Sequence, residues 1–520
     1  MRSALRIVQA VDNRLNPIVV KEMRQLVQSR WVLSIIMLFL FVILGTMVVF
    51  AINSSAEIDT YTTQTLTVGR RSFLILAMIF SVTCMFFIPA YTGLRLSGER
   101  SADGMDLLYV TTLTPSAIIR GKFLAGILLC VLILSVSLPF MVLCYYLKGI
   151  DLPTMAFALF LCLLFVIVIN QGALFIACLP VQKLFKIGFG IGAALLVYWF
   201  TAEGLYEMLE DITRRGYEDF FKNPMAWWAL TFLSLLAALF TGFFYRLCVA
   251  LISPPSMDRL FGLRVYVSAM WLVSLLLISI TYYFIHTTHG YQTNELSTGW
   301  YILCMIFVML GLLVSISENE NRNARIRARI PRNRFLRRLA FFFYCGPANG
   351  LAWCAMLGGL SGLTGLLSLI WVSRRIAVDE EAFTDMGILT LYAFGYAISA
   401  LFIRKLIGRF FKHFTAKYTW VVCLLLVATG ALYYYVFWLV FAWSDQGDIL
   451  FSLQRKFKPL NIFDVIESKH TVPHLWTAVC WLVLLIVPLS WWFYTQTKRF
   501  IPSIVVLEDP AADRHQGGAR

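Results

Sequence analysis

Residues 96–122, LSGERSADGMDLLYVTTLTPSAIIRGK, contain two fragments of nucleotide-binding motifs. A P-loop needs GxxxxGK followed by Ser or Thr at a strand-to-helix turn, so that backbone amides cradle the phosphates. Here Gly121-Lys122 precedes Phe123 and opens an apolar stretch, and LSGE at 96–99 lacks the second glycine and the glutamine of LSGGQ. We therefore expect no ATP hydrolysis by this chain, and we predict no catalytic residue and no cofactor.

Two groups of side chains have the spacing of metal ligands. Glu467, His470 and His474 recur at helical intervals, and residues 286–289 read HTTH. A zinc site needs three or four strong ligands on a suitable frame. Pro473 interrupts the first group and no third ligand accompanies the second. We interpret these as surface histidines and predict no metal site.

Ion-coupled carriers place titratable carboxylates at membrane depth. All 29 acidic residues fall outside the apolar stretches described next, and the adjacent amides Asn170 and Gln171 are the most polar pair within one. These amides either line a transport path or bond to neighbouring helices. The second interpretation is favoured.

The apolar stretches determine the fold class. The chain has 520 residues, 59% of them hydrophobic, and stretches of about 20 apolar residues are long enough to cross a bilayer as helices. We predict an all-α, polytopic membrane protein with twelve spans, at about 31–52, 72–94, 123–147, 154–179, 184–202, 226–252, 265–286, 299–316, 350–372, 386–403, 419–441 and 475–495.

Charge placement predicts the orientation. With a cytosolic N-terminus, most of the 44 Lys and Arg residues fall in inner segments, as the positive-inside rule requires. We expect a multi-pass protein of the cell (inner) membrane with both termini cytosolic and no cleavable signal peptide. The cysteines fall almost entirely within spans and contain no CxxC pair, so we expect small packing residues and no disulfide framework.

The predicted spans divide the chain into four parts. Residues 1–30 form a cytosolic amphipathic helix, 31–252 a first six-helix unit, 253–499 a second six-helix unit, and 500–520 a disordered tail. Loops 95–122 and 317–348 each follow the second span of a unit and begin with a serine near a glutamate. An internal duplication would explain this correspondence. Residues 201–224 and 444–470 are predicted outer amphipathic helices.

Loop 317–348 contains eight arginines between Arg322 and Arg338. Beside a membrane, such a run favours anionic lipid headgroups or the acidic face of a cytosolic partner over nucleic acid. The candidate residues are Arg325, Arg327, Arg329, Arg334, Arg337 and Arg338.

Loop 95–122 divides into two predicted helices. Residues 103–112 form a short helix with apolar side chains, and Thr114 then caps a new helix whose first residue is Pro115. A short helix between two spans, with an apolar face that needs lipid or a protein groove, is typical of a docking element.

In two segments the chain resembles the ABC-2 type permease subunits of ATP-binding cassette exporters. Members share an N-terminal segment NP-x-x-x-KE-x-R, and the chain has NPIVVKEMR at 16–24. They also share a loop ER-x-x-GTLE-LL-x-x-TP-x-SP-x-x-x-x-x-GK, which here reads ERSADGMDLLYVTTLTPSAIIRGK at 99–122. Gly104 lies one residue closer to the acid than usual and Leu113 replaces the first proline. The resemblance covers roughly the first 150 residues.

The resemblance implies a transporter subunit without its own ATPase. The loop would be a coupling helix that enters a groove of a separate ATPase subunit, present in two copies per transporter. Its candidate residues are Glu99, Gly104, Met105, Asp106, Leu107, Leu108, Tyr109, Thr112 and Pro115. The membrane-surface helix would use Asn16, Pro17, Lys21, Glu22 and Arg24. Homodimerisation and contact with membrane lipids are compatible with this class.

Two alternatives remain at this point. One is an ion-coupled secondary carrier. The other is a non-transporting membrane scaffold that binds partners through its Arg-rich loop.

Overall fold

The computed structural model describes residues 17–56, 65–99, 114–147, 150–179, 183–222, 224–254, 257–289, 294–320, 322–373, 380–411, 416–441, 460–461, 465 and 471–502. Within these ranges every regular element is a helix, which confirms the all-α prediction. The chain divides into two compact units, Met1–Pro254 and Pro255–Arg520. The sequence places this boundary between 252 and 253.

Unit 1 consists of a short N-terminal helix followed by long apolar helices. They are α1 (Pro17–Val27), α2 (Arg30–Ala56), α3 (Thr65–Glu99), α4 (Pro115–Tyr146), α5 (Leu152–Cys178), α6 (Lys183–Trp199), a π-helical turn (Phe200–Leu205), α7 (Tyr206–Phe221) and α8 (Pro224–Ile252).

The second long helix, α3, is the centre of unit 1. It packs along α5 and against α4, and one of its faces is buried through Phe73, Phe80 and Ile88. Leu129 and Ile133 of α4 belong to the same apolar cluster. Because α3 contacts both later helices, a displacement of one end of α3 affects the packing of all three.

Unit 2 contains the remaining helices. They are α9 (Phe261–His289), α10 (Asn294–Ile316), α11 (Ala324–Ala328), α12 (Arg334–Phe341), α13 (Pro347–Ser373), α14 (Glu380–Phe410), a 3-10 turn (Ala416–Tyr418), α15 (Thr419–Phe441) and α16 (Thr471–Lys498). The second long helix of this unit, α10, packs against α13 and α14. Tyr301 of α10 stacks on Phe383 of α14 with ring centroids 4.8 Å apart.

Eleven helices among the described residues are long and apolar enough to cross a membrane. The remaining predicted span, at 419–441, corresponds to α15, of which Thr419–Tyr433 forms a shorter apolar segment. The candidate span in α14 begins at Phe383 rather than at the predicted 386. Asp385 therefore lies just inside it, and the candidate span Phe185–Gly216 contains four more acidic residues, Glu203, Glu207, Glu210 and Asp211. The prediction that all acids lie outside the spans is wrong.

The first helix buries an unexpected residue. Val19 and Leu26 are buried, as the amphipathic pattern predicts, but Val27 is 77% exposed and Glu22 is buried. The sequence pattern groups Val27 with Val19 and Leu26 on the apolar face of this helix, and the exposure of Val27 shows that this grouping is wrong. Helical positions 19, 22 and 26 follow the i, i+3, i+7 spacing of one face, which places Glu22 inward and Val27 about 100° away from Leu26.

The start of α4 follows the predicted capping pattern. The Thr114 side chain accepts a hydrogen bond from the Ala117 amide at 3.3 Å, and Pro115 is the first helical residue. Part of the predicted amphipathic helix at 201–224 is present as α7, which begins at Tyr206 and buries Leu209 and Ile212. Most of it lies within the candidate span Phe185–Gly216. The predicted helix at 444–470 lies outside the described residues, apart from positions 460, 461 and 465.

The small-residue motif of α13 has unequal contacts. Gly358 faces Val308 of α10, and a Cβ at this position would lie 3.5 Å from that side chain, whereas Gly362 faces open space. The spacing of these two glycines in the sequence predicts that a neighbouring helix approaches closely at both positions. This prediction is confirmed for Gly358 and wrong for Gly362.

Candidate functional site

Five charged residues form an ion network at one end of unit 1. Lys122 Nζ lies 2.9 Å from Oε1 of Glu22 and 2.7 Å from Oε2 of Glu99. Arg95 Nε lies 3.1 Å from Oε2 of Glu22, and Lys21 Nζ lies 3.8 Å from Oε1 of Glu99. We call these residues the unit 1 ion network.

The network is buried at one end and exposed at the other. The side chains of Glu22 and Lys122 are 4% and 3% exposed, whereas that of Glu99 is 34% exposed. Removing a charge from water is costly unless a partner compensates it. The Glu22–Lys122 pair therefore depends on both partners, while Glu99 extends the network toward solvent.

Each helix positions its contribution through local spacing. Arg95 and Glu99 are four residues apart on α3 and so lie on the same helical face. Tyr91, one turn earlier, accepts a hydrogen bond from Arg95, whose guanidinium carbon lies 5.7 Å from the ring centroid. Lys122 lies about two turns into α4, on a buried face that also contains Ile119.

Residues of the network flank the predicted coupling loop on both sides. Glu99 is the last residue of α3, and Pro115 is the first residue of α4, eight residues before Phe123. Both flanking helices thus carry a member of the network. The other predicted coupling residues lie outside the described residues: Gly104, Met105, Asp106, Leu107, Leu108, Tyr109 and Thr112.

The predicted membrane-surface residues have different roles. Pro17 begins α1, Lys21 and Glu22 belong to the ion network, and Arg24 is exposed. Asn16 lies outside the described residues. The two motif segments that carry the family resemblance therefore meet in space through Glu22, Glu99 and Lys122.

Unit 2 has its own buried carboxylate at the end of its second long helix. Glu318 follows α10 and pairs with Arg264 of α9, and it accepts a hydrogen bond from the Gly346 amide. Arg264 also donates to the Tyr344 carbonyl. Asp258 accepts from the Cys345 amide at 3.1 Å. The cluster ties the start of α9 to the segment that precedes α13.

The surroundings of Glu318 change its acidity. Burial raises the pKa of its carboxyl to about 7, and Asp258 contributes in the same direction. Arg264, the Gly346 amide and Arg322 oppose this rise in the pKa. The side chain lies beyond Ile316, where the candidate span ends. Its ionisation therefore changes near neutral pH.

A second carboxylate, Glu320, joins other helices of unit 2. Its Oε1 lies 3.1 Å from Arg404 and 3.2 Å from Lys405 of α14. Its Oε2 accepts a hydrogen bond from Gln496 of α16 at 3.1 Å. Lys405 Nζ also lies 4.3 Å from the ring centroid of Trp492. These contacts join the segment after α10 to the last two turns of α14 and to the end of α16.

The Arg-rich loop contains both structural and exposed arginines. Arg322 is buried, donates to the Cys345 carbonyl at 3.1 Å and to Asn349 Oδ1 at 2.7 Å, and lies over the Phe500 ring. Of the predicted binding residues, two are half-buried and four are exposed: Arg327 and Arg337 belong to the first group, and Arg325, Arg329, Arg334 and Arg338 to the second.

The two amides of the fourth predicted span are buried in helix packing. Thr92 of α3 donates to Asn170 Oδ1 at 2.8 Å, and Gln171 Nε2 lies 3.8 Å from the sulfur of Cys248 in α8. These contacts agree with the interpretation that the amides bond to neighbouring helices.

The histidine prediction needs one correction. His474 is buried and its Nδ1 lies 3.2 Å from the Tyr392 hydroxyl. It is therefore a packed membrane-helix residue and not a surface histidine, because α16 turns it toward α14. Glu467 and His470 lie outside the described residues. No group of three or more His, Cys, Asp or Glu residues within the described ranges could hold a metal ion.

The cysteines are free thiols, and nine of the eleven are buried. This confirms the expectation of packing residues without disulfides. Cys345 lies at the unit 2 cluster, where burial raises the pKa of its thiol to about 12. It remains a thiol at neutral pH and is a poor nucleophile.

Sequence reasoning missed Arg95, Arg264 and the inward position of Glu22. Two signals identify part of this set. Arg95 precedes Glu99 by one helical turn, and Glu22 is the single acid on the apolar face of α1. No comparable pattern marks Arg264, because its partner Glu318 lies 54 residues away in sequence.

The chain was compared with protein-family models, with curated proteins and with solved structures, and none of them matches it. Evidence on function therefore comes from the fold, the ion network and the sequence motifs.

Proposed function

We propose that this protein is the membrane-spanning permease subunit of an ATP-binding cassette exporter, driven by a separate ATPase subunit. The observation that carries this proposal is the unit 1 ion network. It joins the KE pair of the N-terminal motif to the first glutamate and the final lysine of the loop motif. Residues assigned to one function by resemblance are thus in direct contact.

The network supports a coupling role by mechanical argument. Segment 100–113 runs from α3 to α4, and both helices contribute to the network through Glu99 and Lys122. A force on this segment is shared by the two helices and by α1, since Glu22 is bonded to both Arg95 and Lys122. The contact of α3 with α5 carries the movement into the unit 1 core.

The interior of unit 1 favours this class over an ion-coupled carrier. A carrier uses a titratable group at membrane depth as its coupling device. Apart from Glu22 and Lys122 of the ion network, the buried polar side chains in the described part of unit 1 are hydroxyls and amides, including Ser81, Ser137, Asn170 and Gln171. An energy source outside the membrane, such as a separate ATPase subunit, suits these buried polar groups better than coupling to an ion gradient.

Site-specific crosslinking in native membranes tests the proposal. A photoreactive amino acid at Leu107 or Leu108 should capture a subunit that contains both a P-loop and an LSGGQ motif. The matched control places the same amino acid at Leu336, an exposed leucine of α12 in unit 2. Capture at 107 or 108 but not at 336 is expected.

A double substitution tests whether these two leucines hold the ATPase subunit. Leu107→Asp with Leu108→Asp should leave membrane insertion intact and abolish co-purification of the ATPase that the crosslinking identifies, because a buried apolar contact of this kind contributes on the order of 2 kcal/mol. The mass of the intact complex should correspond to two ATPase copies. Unchanged co-purification, or gradient-driven flux without any ATPase, would overturn the proposal.

A further inference from the structure

Helix α12 presents an apolar face away from the protein. Phe335 is 74% exposed, Leu336 is 50% exposed and Leu339 is 53% exposed. Since a helix turns about 100° per residue, these three side chains share one face. Arg334 and Arg338 are exposed beside it. The helix is therefore amphipathic with its apolar side unburied.

The opposite side of α12 is attached to unit 2. Phe341 is buried, and its ring centroid lies 5.5 Å from that of Phe493 in α16 and 5.4 Å from that of Phe500. Phe341 lies roughly 200° around the helix from Leu339. The helix is thus held by one face while the apolar face with Leu339 is directed outward.

The attachment point determines the depth of α12. Trp492, which precedes Phe493, lies against Lys405, and Lys405 pairs with Glu320. Aromatic and basic side chains at the ends of spans lie at the membrane interface. Since Phe341 packs on Phe493, α12 is attached beside the end of the candidate span in α16, at the level where lipid headgroups are expected.

Charge identifies the lipid class. Segment 322–338 contains eight arginines and no acidic residue. Among the carboxylates of the described residues, none pairs with Arg334 or Arg338 within 4 Å. Guanidinium groups bind phosphate through paired donors, and basic residues beside a membrane attract anionic headgroups.

We propose that α12 is an interfacial binding site for an anionic phospholipid, with Arg334 and Arg338 at the phosphate and Phe335, Leu336 and Leu339 against the acyl chains. The phosphate headgroup accounts for the exposed arginines, and the acyl chains account for the exposed apolar side chains. A nucleic acid would leave the apolar face uncovered. An acidic groove of a soluble protein would not require α12 to lie beside the end of a candidate span, where the Phe341–Phe493 contact holds it.

Lipid retention by the full-length protein tests the site. The protein is reconstituted in bilayers with equal amounts of phosphatidylglycerol and phosphatidylcholine, transferred to mild detergent, and its retained lipids are counted by mass spectrometry. Arg334→Gln with Arg338→Gln should lower the retained ratio of phosphatidylglycerol to phosphatidylcholine on the order of ten-fold. Replacing both arginines by lysine should preserve most of the ratio.

A second variant tests the apolar face of α12, and a third serves as the control. Leu336→Ser with Leu339→Ser should reduce the total lipid retained, because the acyl contact is lost. Arg214→Gln with Arg215→Gln is the matched control, since these arginines are exposed on α7 and are paired with Asp211. No change in lipid retention is expected for it.

Three outcomes would overturn the proposal. An unchanged lipid ratio in the arginine variant excludes a headgroup site. Loss of anionic lipid on arginine replacement without any effect of leucine replacement shows that the headgroup alone is bound and that the apolar face of α12 is not part of the site. Loss of ATPase co-purification in the α12 variants identifies a protein-docking surface instead.

Discussion

Lys122 and Glu22 are 100 positions apart in sequence and form a buried ion pair, with 2.9 Å between Nζ and Oε1. The lysine belongs to the loop motif and the glutamate to the N-terminal motif, so the contact joins the two segments on which the proposed function rests. Its burial makes the pair a structural requirement as well as a link to the proposed coupling segment at 100–113.

Replacing one partner of this pair should be more damaging than replacing both. Lys122→Met leaves the buried Glu22 carboxylate with Arg95 alone, and Glu22→Gln removes the inner partner of Lys122. Losing one partner of a buried pair costs on the order of 3 kcal/mol, whereas the double variant removes both charges. We expect lower apparent unfolding temperatures for each single variant and partial recovery in Glu22→Gln with Lys122→Met. Additive losses would contradict this coupling.

Gly126 of α4 is required by the close approach of Asn170. A Cβ at this position would lie 2.5 Å from Asn170 Nδ2 and 2.9 Å from its Oδ1. Gly126→Ala must displace the buried amide from Thr92 and should cost about 1–3 kcal/mol. Gly188→Ala is the matched control, since its Cβ would meet nothing within 4 Å.

Thermal unfolding of both glycine variants measures this effect. The loss in Gly126→Ala should be smaller in a background that also carries Asn170→Ala, because the overlapping amide is then absent. Equal losses in the two backgrounds would show that the amide is not the source of the cost.

Glu318 should make stability depend on pH. Its folded pKa of about 7 exceeds its usual value of 4.5, so between these values the folded state holds a proton that the unfolded state has lost. Stability therefore falls as pH rises through this window, by roughly 3 kcal/mol in total. The charged neighbours are Arg264, Asp258 and Arg322.

The comparison of wild type with Glu318→Gln isolates this contribution. Glutamine resembles the neutral carboxylic acid and does not titrate. From pH 5 to pH 7.5 the unfolding temperature of the wild type should decrease relative to that of Glu318→Gln. Parallel curves would contradict the prediction.

The cap of α4 should stabilise the first turn of this helix. Thr114→Ala removes the acceptor for the Ala117 amide and should cost about 1 kcal/mol, while Thr114→Ser retains a hydroxyl. We expect faster hydrogen exchange at the first turn of α4 in the alanine variant only. Equal exchange in both variants would show that the cap has no role.

Much of the architecture is predictable from the sequence for identifiable reasons. Long apolar stretches predict spanning helices because a helix satisfies its own backbone in lipid. Thr114 and Pro115 predict the start of α4 because capping is local. His474 shows the limit of such reasoning: its neighbours in sequence are consistent with a surface histidine, yet α14 covers it through Tyr392.

The sequence by itself determined the helical class, the apolar stretches and the motif segments, since these depend on composition and on spacing within one helix. Only the tertiary structure decided that Glu22 lies inward against Lys122, that Arg264 meets Glu318, and that Phe335 is exposed while Phe341 is buried. A charged residue on an apolar face is tolerated only where a distant partner compensates it. That partner is brought into contact by helix packing, which no local pattern encodes.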